Sequence, residues 1–234
     1  MIETVTLTGI DEKTDPKALV QLGQWFPFVE LAVLAGTQDG KPRMPSRRWI
    51  LEWRETAKQA GVTSAIHLCG ARARAARDRN WEEITDLAAG FGRVQVNLPA
   101  AQRGAAAPAL DDFGRFLQRR VVLQHEGPWE TSGGASCANL DLLADGSGGQ
   151  GIPSFNSWPP PRENRLNGYA GGIGPATIRR TLEFAARWPE HRIWIDMETG
   201  VRTADTFDMT KAIAVCAEVE AATQRARQHT HAAR

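Results

Sequence analysis

Two stretches near the end of the chain bring chemistry-bearing groups together through the backbone. Asn167 to Ile178 reads Asn-Gly-Tyr-Ala-Gly-Gly-Ile-Gly-Pro-Ala-Thr-Ile, and about twenty residues later Arg192 to Arg202 reads Arg-Ile-Trp-Ile-Asp-Met-Glu-Thr-Gly-Val-Arg. In each, a short apolar run that reads as a buried strand meets glycine and then a helix start. Backbone N–H groups are left free there, close together and pointing one way. Such turns bind phosphate without a lysine, and the amides concerned are those of Gly171, Gly172 and Ile173 in the first and Thr199, Gly200 and Val201 in the second.

Side chains that could move protons lie at the ends of other strand-like runs. Asp145 stands before Gly146-Ser147-Gly148-Gly149-Gln150-Gly151, where a carboxyl group is placed either for acid–base work or to tie nearby amides into a turn. His67 and His125 have an ordinary pKa in the useful range, and each can equally be a satisfied structural histidine. Gln95, Asn97 and Gln124 are polar positions in apolar strands, suited to lining a pocket or to satisfying one another. Trp129 and Trp158 fall in loops that either overhang such a pocket or cap the barrel.

The elements that must position these groups follow a repeating strand–helix pattern. Strands are expected at Glu3–Gly9, Phe28–Ala35, Ser64–Leu68, Arg93–Leu98, Arg120–Gln124, Leu140–Ala144, Leu166–Ala170 and Ile193–Met197. Helices are expected from Asp15-Pro16 to about Gln24, over Arg47 to Ala60 after a polar loop with Gly40 and Pro42, and from Gly70 to Ala89 with a break near Asn80. Three more follow over Leu110–Arg119, Pro175–Arg187 and Asp208 to about Arg227, the first of them after an Ala/Pro-rich loop. Residues 126–138 carry no helical period, and Pro159-Pro160-Pro161 forbids a regular helix in 152–164, so the units after strands five and six should have short helices or loops. Eight such units form a single-domain (β/α)8 TIM barrel over residues 1–234, with its phosphate turns after strands seven and eight.

Composition agrees and excludes several classes. With 234 residues and 42% hydrophobic content the chain can bury one large core, and its net charge of +1 creates no field for nucleic acid. Arg72, Arg74, Arg77 and Arg79 recur at helical spacing, as on a solvated face. Cys69, Cys137 and Cys216 have unrelated spacings, which suggests neither a disulfide framework nor a zinc site. The lack of a charged-then-apolar leader or a membrane-length apolar run leads to the expectation of a cytoplasmic protein with no membrane partner.

Val5 to Ile10, Lys41 to Ser46, Leu142 to Gly151 with Phe155 to Trp158, Ala170 to Ile173 and Asp196 to Val201 together resemble phosphoribosylanthranilate isomerase, in order and spacing over essentially the whole chain. The resemblance implies an Amadori-type, intramolecular aldose–ketose isomerase for a phosphorylated small molecule, related to a step of tryptophan biosynthesis and needing neither metal nor organic cofactor. It makes Asp145 the general acid and Arg43 the anchor of a substrate carboxylate; by their own chemistry and place on the strands, Gln95, Gln124 and His125 are expected as further substrate contacts. The family's base is a cysteine at the end of strand one, where this chain has Thr8 in Thr-Gly-Ile. A threonine hydroxyl is far too weak an acid to serve as that base. Another group must act, with His67, Glu30, His125 and Asp11 as candidates, or the substrate has changed. The alternative is a non-catalytic phosphate-ligand binding protein on a degenerate isomerase barrel. A monomer or homodimer would suit either role. A Schiff-base aldolase, the pathway's indole-forming synthase and a metal-dependent epimerase are disfavoured, because strand lysines and paired metal ligands are missing.

Overall fold

A computed structural model describes residues 2–37 and 43–232. Eight strands, β1 (Ile2–Ile10), β2 (Val29–Ala35), β3 (Ser64–Cys69), β4 (Arg93–Asn97), β5 (Val121–His125), β6 (Leu140–Asp145), β7 (Leu166–Ala170) and β8 (Arg192–Met197), close into one barrel in sequence order. All eight pairings are parallel, β8 back to β1 included. The chain is a (β/α)8 barrel, as the sequence pattern predicts.

The outer layer is formed by α1 (Pro16–Trp25), α2 (Arg47–Ala60), α3 (Gly70–Arg77), α4 (Thr85–Ala88), α5 (Ala100–Leu117), α6 (Ile178–Ala186) and α7 (Met209–Ala232). Local signals set the ends of α2: the Ser46 hydroxyl accepts from the Trp49 N–H at 3.3 Å, and Gly61 ends the helix with φ 68°. The units after β5 and β6 hold only the 3-10 turns Trp129–Ser132 and Phe155–Ser157, in line with the helix-poor expectation. The expected loop with Gly40 and Pro42, and with it the Lys41-Pro42 part of the family-like turn, lies outside the described residues.

One element differs from expectation. The Ala/Pro-rich segment read as a loop before Leu110 is helical from Ala100, so α5 spans 18 residues with Pro108 inside it. Proline removes one N–H and crowds the carbonyl four residues back. Here that residue is Gly104, and Gly133 packs so closely on its carbonyl that a Cβ there would lie 2.7 Å from the oxygen. Alanines at Ala106 and Ala107 bury the face of α5 that meets the sheet. A short ribbon of β9 (Arg202–Thr203) and β10 (Thr206–Phe207) also follows β8, turning through Ala204 and Asp205 at φ 46° and 61°.

The core has two parts. A large apolar layer lies between strands and helices, while the barrel's interior holds a small cluster of Val122, Leu143, Ala170 and Trp194. Trp194 fits there because Gly168 offers no Cβ, which would overlap the indole ring. The neighbouring positions are polar: Thr6 donates to the Glu30 carboxylate at 2.9 Å, and Arg93 bridges Glu30 and the Thr6 hydroxyl while its guanidinium lies 4.3 Å from the centre of the Trp194 ring. All three polar side chains are buried.

Removing one partner of a buried ion pair leaves the other charge uncompensated. Glu30→Gln should lower unfolding free energy by about 3–5 kcal/mol in urea titrations at neutral pH. Glu30→Met combined with Arg93→Met should recover most of that loss. Equal stability of Glu30→Gln and the parent would show that the pair is not buried as described.

Candidate active site

Alternation along β8 turns Trp194 and Asp196 inward, with Glu198 following on the same side, and alternation along β1 does the same for Thr6 and Thr8. Thr6 and Asp196 are register partners, and Thr8 Oγ1 donates to Asp196 Oδ1 at 2.6 Å. Thr8, His67, Gln124, Asp145, Asp196 and Glu198 all open on one cavity of about 630 Å³ at the C-terminal ends of the strands. This is the face on which enzymes of this architecture carry their chemistry.

Burial drives the Asp196 carboxyl up to about 7. The Thr8 hydrogen bond and the Arg93 charge pull it down, and the charges of Glu30 and Asp145 push it up. A carboxyl group with that pKa can both give and take a proton near neutrality. Glu198 is also raised, first by burial, against the opposing pull of Arg43. His67 moves the other way: burial lowers it to about 3, with Arg93 acting in the same direction and Glu30 against it. Its imidazole is therefore neutral, able to hydrogen-bond but a poor base.

Asp145 lies in the cavity wall with its oxygens occupied. Oδ1 accepts from the Ser147 N–H at 3.0 Å and hydroxyl at 2.6 Å, while Oδ2 accepts from the Gly149 N–H at 2.8 Å and from Gln124 Nε2. Four donors thus reach its two oxygens. The arrangement is that of a turn organiser shaping 146–151. Gln124 is fixed in turn by Arg103, whose Nη2 donates to Gln124 Oε1 at 3.1 Å and whose Nη1 pairs with Glu126 at 2.7 Å.

The two glycine turns meet above the far side of the cavity. Gly171 and Gly172 have φ of 101° and 69°, and Gly200 sits so tightly on the Ile173 carbonyl that a Cβ would overlap it. The N–H groups of Gly172, Ile173 and Gly200 donate to no partner among the described residues, whereas the Gly174 N–H is held by Thr177 Oγ1 at 3.0 Å. Thr199 also lines the cavity. Val201 does not: it is fully buried and its N–H donates to the Glu198 carbonyl.

Four other expected site residues lie away from the cavity. Arg43 ion-pairs with Glu198 at 3.0 Å and with Asp205, so its guanidinium ties the segment before α2 to the end of β8. His125 points outward from β5 toward the Pro128 carbonyl at 2.7 Å and is lowered chiefly by burial. Glu30 belongs to the interior ion pair, and Asp11 pairs with Arg202 at 3.1 Å. Gln95 does line the cavity and donates to Asn97 at 3.0 Å. Trp158 packs on Tyr169 and Phe184, and Trp129 donates to the Pro160 carbonyl, so both cap the barrel outside the cavity. Asp196, Glu198 and Arg103 are cavity-lining groups that were not singled out from the sequence, and Arg74, read there as part of a solvated face, lines the cavity as well. The alternation in Trp194-Ile195-Asp196 carried the signal for Asp196, whereas Arg103 lay in the segment read as a loop.

Fold and cavity define a (β/α)8 barrel with a polar pocket at the strand ends. The chain is similar in structure to N-(5'-phosphoribosyl)anthranilate isomerase from Pyrococcus furiosus, with a TM-score of 0.62 and 12% identity over 93% of this chain and 98% of that one. It is also similar to a truncated 3-deoxy-D-arabino-heptulosonate 7-phosphate synthase from Thermotoga maritima (0.57, 11%, 95% and 87%) and to D-psicose 3-epimerase from Clostridium cellulolyticum H10 (0.51, 11%, 96% and 98%). These likenesses establish the barrel fold. No protein-family model matches the chain, and no curated protein does.

A carboxyl group raised from 3.8 to about 7 favours folding fully below its unfolded pKa, and that contribution is lost as pH rises through about 7. Asp196→Asn keeps the acceptor for Thr8 but cannot ionise. Its stability advantage over the parent should therefore grow from near zero at pH 3.5 to as much as about 4 kcal/mol at pH 8, measured by denaturant titration. A difference independent of pH would refute the assignment.

Proposed function

We propose that the protein is an isomerase of a phosphorylated sugar or sugar adduct, of the aldose–ketose type, in which Asp196 transfers the proton. The observation that carries this reading is the shared cavity: the Thr8-bound carboxyl group of Asp196 faces the same space as the free N–H groups of Gly172, Ile173 and Gly200. The amides would hold the phosphate and so fix where the sugar carbons lie. Asp196 as carboxylate would take the proton from the carbon beside the carbonyl or iminium group and, as carboxylic acid, return it to the neighbouring carbon.

Thr8, at the position where the resemblance requires a thiol base, acts through its neighbour. Its hydroxyl donates to Asp196 Oδ1 and leaves Oδ2 for the substrate. Asp145 is assigned the shaping of the 146–151 loop, because its four hydrogen bonds occupy both carboxyl oxygens and tie that loop to β6. That saturation favours the binding-protein reading to the extent that the general acid is lost, and turnover separates the two.

Purified protein should exchange substrate C–H for solvent deuterium, followed by NMR, with at least one of a panel of aldose and ketose phosphates and phosphoribosylanthranilate. Asp196→Asn should lower that rate about 10²–10⁴-fold. Gly200→Ala should raise KM through the phosphate, leaving inorganic phosphate unable to inhibit. Phosphate binding without exchange across the panel would move the protein to the binding class.

A further inference from the structure

The wall opposite the glycine turns is formed by β3, α3 and the start of α5, and the reaction proposed above makes no use of it. His67, Arg74, Asn97 and Ala100 line it. Two arginines line the cavity, and one of them is committed to an ion pair. Arg103 is paired with Glu126 and Glu198 with Arg43, while Asp145 is saturated by amide, hydroxyl and side-chain donors. Arg74 faces the cavity in no ion pair or side-chain hydrogen bond among the described residues; its charge acts on Asp78, but that carboxylate is already held by Nε and Nη2 of Arg77.

Two further features of this wall offer donors. α5 begins without a side chain capping its first turn, and Ala100, its first residue, lines the cavity, so the positive end of an 18-residue helix faces in. His67 is 2% exposed, lines the cavity, and its ring nitrogens bond to no group among the described residues. A buried polar ring left open on a cavity is unsatisfied until a ligand or water reaches it.

We propose that the substrate carries a second anionic group, a phosphate or a carboxylate, which binds between Arg74, the N-terminus of α5 and His67 while the first phosphate occupies the Gly172–Gly200 turns. A guanidinium fork with helix amides and a neutral imidazole donor recognises a tetrahedral or planar oxyanion. The inference rests on the sugar-phosphate reading and narrows it to doubly anionic substrates. It also gives the carboxylate-anchoring task expected of Arg43 to a different arginine on a different unit.

Calorimetric titration with three probes tests it: ribose 5-phosphate, ribulose 1,5-bisphosphate and 6-phosphogluconate. At least one of the two doubly anionic probes should bind ten-fold or more tightly than ribose 5-phosphate, the bisphosphate or the carboxylate identifying which anion the wall prefers. Arg74→Met, at an exposed position, should abolish that advantage and leave ribose 5-phosphate affinity within two-fold. Gly200→Ala should weaken all three. Equal affinities for all three probes that still respond to Gly200→Ala would overturn the second site while sparing the phosphate reading. An Arg74→Met effect of the same size on ribose 5-phosphate would overturn it as well, and failure of every probe and of inorganic phosphate to bind would overturn both.

Discussion

A closed eight-stranded barrel must fill its interior from its own strands, and this constraint governs the rest of the molecule. Here the filling is only partly apolar. Trp194 occupies the middle against Gly168, and the Arg93 guanidinium lies on the indole ring while it holds Glu30 and Thr6. An ion pair in such a place contributes little net stability against an apolar filling of equal volume. Its consequence is electrostatic: the groups next along the same strands meet a dry floor that carries fixed charges. Asp196 lies two residues beyond Trp194 and His67 faces the same cavity from β3; burial raises the acid and lowers the base, with Arg93 opposing the first shift and Glu30 the second.

That floor sorts the carboxyl groups into different tasks. Glu30 is spent on Arg93 and Glu198 on Arg43, and Asp145 is surrounded by donors. Asp196 has one hydrogen bond from a threonine hydroxyl, too weak to offset its burial. Environment alone gives groups of the same chemical type different tasks, and the carboxyl group raised to near neutral pH is the one on β8. The glycine turns add the complementary feature, free N–H groups held in place because Gly200 and Ile173 approach more closely than any side chain would permit.

Much of the architecture could be read from the order of residues. The eight strands, the ends of α2 at Ser46 and Gly61, the poor helices after β5 and β6, and the paired glycine turns rest on local properties: alternation, capping groups and the conformational demands of glycine and proline. Where the reading failed, a local signal was outweighed. Pro108 marks a loop by its own chemistry, yet α5 runs through it because the alanines around it favour a helix that buries against the sheet.

The site divides along the same line. The sequence by itself determined that glycine turns follow β7 and β8, that Thr8 lies near the end of β1, and that Asp145 begins a glycine-rich loop. Only the tertiary structure decided which groups face one another: Thr8 onto Asp196, Arg43 onto Glu198 and Asp205, His125 outward to Pro128, Arg74 into the cavity with no ion pair or side-chain hydrogen bond among the described residues. Proton affinity and charge pairing depend on distances between residues up to 188 positions apart and on how much water reaches them. Neither quantity is a property of any stretch of chain, and both are set when the barrel closes.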